Sequence, residues 1–138
     1  NLQLNGCELP LHQERLARLP VPLVIDHLGK FLPPPAADAP SFRSLCALLE
    51  GGRCWVKLSA PYESSQTGAP DYADVSALAV LLARNYPERC LWASNWPHPN
   101  RQPVPGDAAM LGLLHAWAPS VAAVQRILVD NPQVLYGF

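Results

Sequence analysis

The chain carries little charge for its size, and what it lacks narrows its possible roles before any motif is read. Only 15% of its 138 residues are Asp, Glu, Lys or Arg, and they leave a formal net charge of -1. No run of basic residues could track a phosphate backbone, so nucleic acid is not an expected partner. No apolar stretch approaches the roughly 20 residues that a membrane-spanning helix needs, so no membrane partner is expected either. The four cysteines, Cys7, Cys46, Cys54 and Cys90, are too widely spaced for a CxxC zinc pattern. With no signal peptide at the start, they predict reduced thiols and a cytoplasmic setting. Cys54 and Cys90 each open an apolar run, where a free thiol behaves as a small hydrophobe.

What is present is largely apolar. A hydrophobic fraction of 49% beside so little charge exceeds the needs of one small solvated domain, which points to surfaces meant for a neighbour. The 16 prolines fall between periodic segments, as at Pro33 to Pro35 and Pro103 to Pro105, and mark loops. Four short apolar runs, residues 2–4, 23–25, 55–58 and 91–93, read as strands because they are too short for helices and rich in branched or aromatic residues. Between them, residues 9–19, 42–49 and 72–86 have helical spacing. Ser41 and Asp71 are the expected caps of the second and third helices. Two more helices, 107–117 and 120–129, close the chain, with Asn131 and Pro132 expected to turn it before a last apolar anchor. Alternating strands and helices, with strands apolar on both faces, predict an α/β fold around a parallel sheet.

The polar residues suited to chemistry follow the strands. Asn5 comes after the first, Asp26 and His27 after the second, Ser59 and Tyr62 after the third, Asn95 and His98 after the fourth. In parallel sheets and barrels that edge binds ligands, because loops and helix starts converge there. Strand alternation predicts that Asp26 and His27 point to opposite faces, with Asp26 as an orienting carboxylate, and that Lys57 shares the face of Ser59. His98, between two prolines, reads equally as a loop anchor or a reserve base. Tyr62 offers a hydroxyl to substrate or a packing ring, and Ser59 is a weaker version of the same choice. Asn5 is a candidate by position alone. Trp55, Trp92 and Trp96 read as core, and His12 and His115 are assigned no role.

The segments LVIDHLGK, WVKLSAPY, LWASNWPHPN and VDNPQVLYGF resemble successive landmarks of the amidohydrolase family that includes 2-pyrone-4,6-dicarboxylate lactonase and related lactone hydrolases. The resemblance spans nearly the whole chain. It implies that residues 1–138 are one partial domain, the carboxyl-terminal half of a (β/α)8 TIM barrel, with its four strands as the fifth to eighth. His27 falls where the family's lactonases place a histidine that polarises the carbonyl under attack. Asn95 falls where the family usually has an Asp that activates water. An amide is no base and offers a metal only a neutral oxygen, so the change is expected to remove general-base catalysis, about 10² to 10⁴ in rate. Near Tyr62 the family's dicarboxylate lactonases are expected to carry an arginine, whereas this chain has Glu63, which predicts a neutral or less acidic lactone.

The leading expectation is therefore hydrolysis of a small lactone without a cofactor, with His27 and Asn95 catalytic and Tyr62, Ser59, Asn5 and His98 binding substrate. A second expectation is a metal-dependent hydrolase or decarboxylase of the same superfamily, using a divalent ion such as zinc. A third is a non-catalytic half-barrel binding or assembly module, since open sheet edges and an uncovered apolar flank call for a missing amino-terminal half or a homo-oligomer.

Overall fold

Three of the four apolar runs extend into paired strands, Leu23–Ile25 (β1), Cys54–Leu58 (β2) and Cys90–Trp92 (β3), in a computed structural model that describes all of residues 1–138. They pair in parallel in the order β1-β2-β3, with Ile25 opposite Val56 and Leu58 opposite Trp92. The first run corrects the expectation of four strands. Leu2 alone bridges Ile25, donating its N–H to Val24 O at 2.7 Å and accepting from Asp26 N at 3.0 Å. The chain then leaves the ladder because Asn5 Oδ1 accepts from Cys7 N at 3.1 Å and caps a 3₁₀ turn at Gly6–Glu8. The Leu2 bridge, β1, β2 and β3 thus lie side by side in chain order, which fits a partial α/β barrel.

Parallel neighbours need long crossovers, and helices supply them. Leu9–Ala17 (α1), Pro40–Glu50 (α2), Ala73–Asn85 (α3) and Asp107–Trp117 (α4) fall close to the periodic segments. Two expected caps are corrected. Proline suits the first helical turn, so α2 begins at Pro40 and Ser41 is buried inside the helix. At α3 the capping position is Tyr72, in the left-handed region at φ +46°, and Asp74 rather than Asp71 bonds the helix start.

The end of the chain also differs from expectation. Ser120 caps Val121–Gln125 (α5) by accepting from Ala123 N at 3.2 Å. The chain then widens into a π turn at Arg126–Asp130 and runs straight on as Asn131–Tyr136 (α6), without turning at Asn131 and Pro132. Pro132 is tolerated because it lies in the first turn of α6. Asn131 is an anchor instead: its buried Nδ2 donates to Pro87 O and Cys90 O, both at 2.7 Å, pinning the last helix to the entry of β3.

Ile25, Val56, Leu58 and Cys90 face the helices and join Leu45, Leu82, Leu114 and Ile127 in the main core. The alternate residues Val24, Trp55 and Leu91 pack on the opposite face against Leu135. Both faces are covered, which explains strands that are apolar throughout. Burial pushes the Cys54 thiol up to about 12 and raises Cys90 as well, as expected for inert packing thiols. Trp55 is core and Trp92 half-buried, but Trp96 is 75% exposed because it lies beyond β3, outside the packed layers. His12 and His115 are exposed. No helix is long and apolar enough to cross a membrane.

Asp74 staples the loop before α3. It accepts from Ser65 Oγ at 2.6 Å, Gln66 N at 2.7 Å, Thr67 Oγ1 at 2.8 Å and Val75 N at 2.9 Å. Burial alone would push its pKa up, but the four donors outweigh burial and hold the carboxyl well below the usual carboxylate range. Urea denaturation of Asp74→Ala at pH 7 should show a loss of about 1–2 kcal/mol, the usual scale for a helix cap. The carboxyl binds protons more weakly when folded, so its contribution is full above its unfolded pKa of 3.8 and lost as pH falls through the folded value. The two proteins should therefore converge in stability in strong acid; a gap that stays constant down to pH 2 would refute the staple.

Candidate functional site

Shortly beyond each strand the backbone enters the left-handed region at a residue that carries a side chain. His27 has φ +56°, Ala60 φ +48° and Asn95 φ +68°, each within three positions of a strand end. Such backbone is costly for residues other than glycine and persists where the surroundings over-determine it. Its effect here is to fold the polar residues back over the carboxyl edge of the sheet.

At β1 and β2, His27 Nδ1 lies 3.0 Å from Ser59 Oγ, and Ser59 is buried. Asp26 Oδ1 lies 2.9 Å from Lys57 Nζ. Asp26 and His27 thus both reach across to the end of β2, Asp26 to Lys57 within the strand and His27 to Ser59 just beyond it. The expectation of opposite faces fails because the positive φ of His27 breaks strand alternation. Burial lowers the pKa of His27, and the opposing fields of Asp26 and Glu63 do not offset it. The imidazole is held neutral, so one ring nitrogen donates and the other accepts.

At β2 and β3 a second group forms. Tyr62, in a 3₁₀ turn at Pro61–Glu63, is buried with its hydroxyl 2.8 Å from His98 Nδ1 and 2.9 Å from Asn95 Nδ2, the amide donating. His98 is itself buried, and its Nε2 lies 2.9 Å from Asp107 Oδ1 at the start of α4. Burial pushes the Tyr62 phenol up, opposed by the Asn95 hydrogen bond. The carboxylate of Asp107 can only accept, so His98 Nε2 carries a hydrogen. With the imidazole neutral, His98 Nδ1 accepts from the Tyr62 hydroxyl, and the Tyr62 oxygen accepts from Asn95.

The structure thus brings His27 to Ser59, and Tyr62 to Asn95 and His98, along one edge. Asn5 is not part of either group. Its Oδ1 accepts from Cys7 N and Leu32 N, both at 3.1 Å, and its Nδ2 donates to Leu32 O at 3.4 Å, so its side chain ties loops together. The neighbouring Gly6 is required because a Cβ there would overlap the Gly29 carbonyl and the Phe31 ring.

Three residues were missed from sequence. Lys30 pairs with Glu63 at 3.1 Å, which cancels the charge expected to repel an anionic substrate. Arg101 stacks its guanidinium 5.1 Å from the centre of the Tyr62 ring, with no carboxylate within ion-pair distance, and both line a cleft of about 280 Å³ with Ser65, Tyr72 and Gln102. Asp107 completes the His98 contacts. The only linear signal for it was an acidic residue opening a helix, which points to the helix dipole and not to a partner. As a metal site the arrangement is poor. No three His, Cys, Asp or Glu side chains converge, and His27 and Asn95 offer only neutral donors.

Comparison with known proteins bears on this geometry. A family model described as amidohydrolase matches residues 8–138. The chain is 38% identical over 138 residues to D-galactarolactone isomerase of Agrobacterium fabrum, a match covering 98% of this chain and 47% of that protein. It is 39% identical over 127 residues to 4-sulfomuconolactone hydrolase of Hydrogenophaga intermedia, covering 90% and 42%. The chain therefore spans about half the length of the curated relatives it matches. A crystal structure of an apo protein from Agrobacterium tumefaciens superposes with a TM-score of 0.93 at 37% identity, covering 99% of this chain and 49% of that one. An amidohydrolase from Burkholderia multivorans with bound zinc, 22% identical with a TM-score of 0.73 and covering 99% and 52%, shares the fold.

Titration of the His27 ring protons by nuclear magnetic resonance should give a pKa below the ordinary 6.5, with Asp26→Asn lowering it further by removing a carboxylate that opposes the shift. The unfolded chain binds this proton more tightly than the folded one, so the stability linked to His27 is full above pH 6.5 and lost as pH falls through the folded value. A measured value at or above 6.5 would contradict the site's electrostatics.

Proposed function

The chain belongs to the amidohydrolase family, and we propose that it forms the carboxyl-terminal half of a (β/α)8 barrel, strands five to eight, whose site opens a small lactone by attack of water on the ester carbonyl. The observation that carries this reading is the convergence of His27–Ser59 and Tyr62–Asn95–His98 on the carboxyl edge of the sheet, in a chain whose relatives act on lactones. A neutral His27 donates a hydrogen bond to the carbonyl oxygen as negative charge develops there. Ser59 sets the ring's orientation. Asn95 holds Tyr62, and Tyr62 meets the substrate.

The substrate class is wider than Glu63 suggested. With Glu63 neutralised by Lys30 and Arg101 unpaired over the Tyr62 ring, the mouth accepts a lactone bearing an anionic group. A second reading, intramolecular transfer of the lactone from one substrate hydroxyl to another, is favoured by one specific observation. Asn95 offers no carboxylate to activate water, and a relative at 38% identity is named a lactone isomerase. A metal-dependent reaction finds less support, because no three His, Cys, Asp or Glu side chains of this chain converge, and no step is routed through an ion.

The partner of this chain is the amino-terminal half of the barrel, which would close the β3 edge and the edge beyond Leu2. The setting is cytoplasmic in this reading.

The full gene product carrying this chain should turn over D-galactarolactone or 4-sulfomuconolactone, with carbon NMR of the product separating ring opening from lactone migration. His27→Ala should lower kcat about 10²- to 10³-fold, the usual effect of removing a donor to a developing oxyanion. An unchanged kcat would exclude His27 from that role.

A further inference from the structure

We propose that Tyr62, His98 and Asp107 form a proton relay that supplies the base Asn95 cannot provide, with Tyr62 as the catalytic residue that takes the proton from the attacking oxygen and Asp107 as a positioning residue. The inference rests on the lactone reading above. It starts from three contacts in series: Asn95 Nδ2 to Tyr62 Oη at 2.9 Å, Tyr62 Oη to His98 Nδ1 at 2.8 Å, and His98 Nε2 to Asp107 Oδ1 at 2.9 Å.

Donor and acceptor chemistry allow one direction along this chain. Asp107 fixes the Nε2–H tautomer of His98, which leaves Nδ1 free to receive the Tyr62 hydrogen. Asn95, a donor, stabilises negative charge on the Tyr62 oxygen. Burial, Glu63 and Tyr72 oppose that charge while Asn95 and Arg101 favour it, so the phenol stays protonated at rest and hands its proton on only as it receives another. Arg101 stacks on the ring, Glu63 is paired to Lys30, and Tyr72 is the remaining titratable neighbour. The His98 side chain is 2% exposed and that of Asp107 55% exposed, so the relay runs from the buried phenol to a carboxylate at the solvent.

The step balances. As water attacks, one of its protons passes to Tyr62 Oη while the phenol's own proton moves to His98 Nδ1, giving an imidazolium paired with Asp107. The water oxygen bonds to the lactone carbonyl carbon and the carbonyl π pair moves onto its oxygen, beside His27. When the carbonyl re-forms, the ring C–O bond breaks. The departing alkoxide takes a proton from Tyr62, which regains one from His98. In lactone migration a substrate hydroxyl takes the place of water and the transfers are the same.

The test uses the full gene product that carries this chain, with D-galactarolactone and 4-sulfomuconolactone as probes and ¹⁵N spectra of the His98 ring as a readout independent of turnover. Tyr62→Phe and Asp107→Asn should each lower kcat about 10²-fold or more while KM for Asp107→Asn stays within about threefold. Asp107→Glu should recover most of the loss. The ¹⁵N spectrum should show His98 protonated at Nε2 in the native protein and a changed tautomer in Asp107→Asn. If the native protein turns over a probe and both variants keep kcat within about threefold, the relay is overturned and the lactone reading stands. If the native protein turns over neither probe, the lactone reading fails for those probes and the spectrum decides: Nε2–H dependent on Asp107 supports the relay, and Nδ1–H overturns it.

Discussion

Parallel pairing of β1, β2 and β3 is the constraint on which the rest of the structure depends. Strands that run the same way must all end at the same edge, and each must be followed by a crossover before the next can begin. Residues 32 to 36 positions apart in sequence therefore meet: His27 with Ser59, and Tyr62 with His98. The sheet can hold them because both of its faces are buried. Ile25 and Val56 are fully buried against the helices, while Val24, Trp55 and Leu91 pack on the other side. Polar groups that rise from so short and well-packed a base are held in place by it.

Charge at the mouth is arranged on the same frame. Lys57 neutralises Asp26 within the sheet face, and Lys30 neutralises Glu63 between the first and second strand-end loops. What remains is the cation of Arg101, stacked on Tyr62 in the loop that follows β3, and the carboxylate of Asp107, hydrogen-bonded to His98 at the start of α4. Two neutral pairs, one guanidinium and one carboxylate leave this edge with little net charge. This agrees with a chain whose net charge is near zero.

Much of this was legible in sequence where local pattern and tertiary packing agree. The bounds 23–25 and 107–117 coincide with β1 and α4, and the strand-end rule located His27, Ser59, Tyr62, Asn95 and His98 before any contact was known. Patterns failed where a long-range contact overrode a local signal. Asn131–Pro132 reads as a turn, yet Asn131 is held by carbonyls more than 40 positions away and the helix continues through it. The run at residues 2–4 reads as a strand, but the Asn5 cap ends its pairing after one bridge. Asp107, Lys30 and Arg101 were illegible for a related reason. Their partners are chosen by how loops fold over the edge, and no periodicity encodes that.

Asn95 shows why a single position cannot be read apart from its partners. Taken alone it is a carboxylate replaced by an amide, and so a loss of basicity. In the folded site its Nδ2 donates to Tyr62, which leaves the Tyr62 hydrogen for His98. A carboxylate at the same place could only accept, and would draw the Tyr62 hydrogen to itself. His98 Nδ1 would then lose its donor while Nε2 remained committed to Asp107, leaving the imidazole to satisfy two acceptors by becoming charged. The amide is thus the group that lets a neutral His98, the phenol of Tyr62 and the carboxylate of Asp107 stand hydrogen-bonded in series. Asn95 and Asp107 act on the two ends of one hydrogen-bond chain, and the identity of each sets what the other can do.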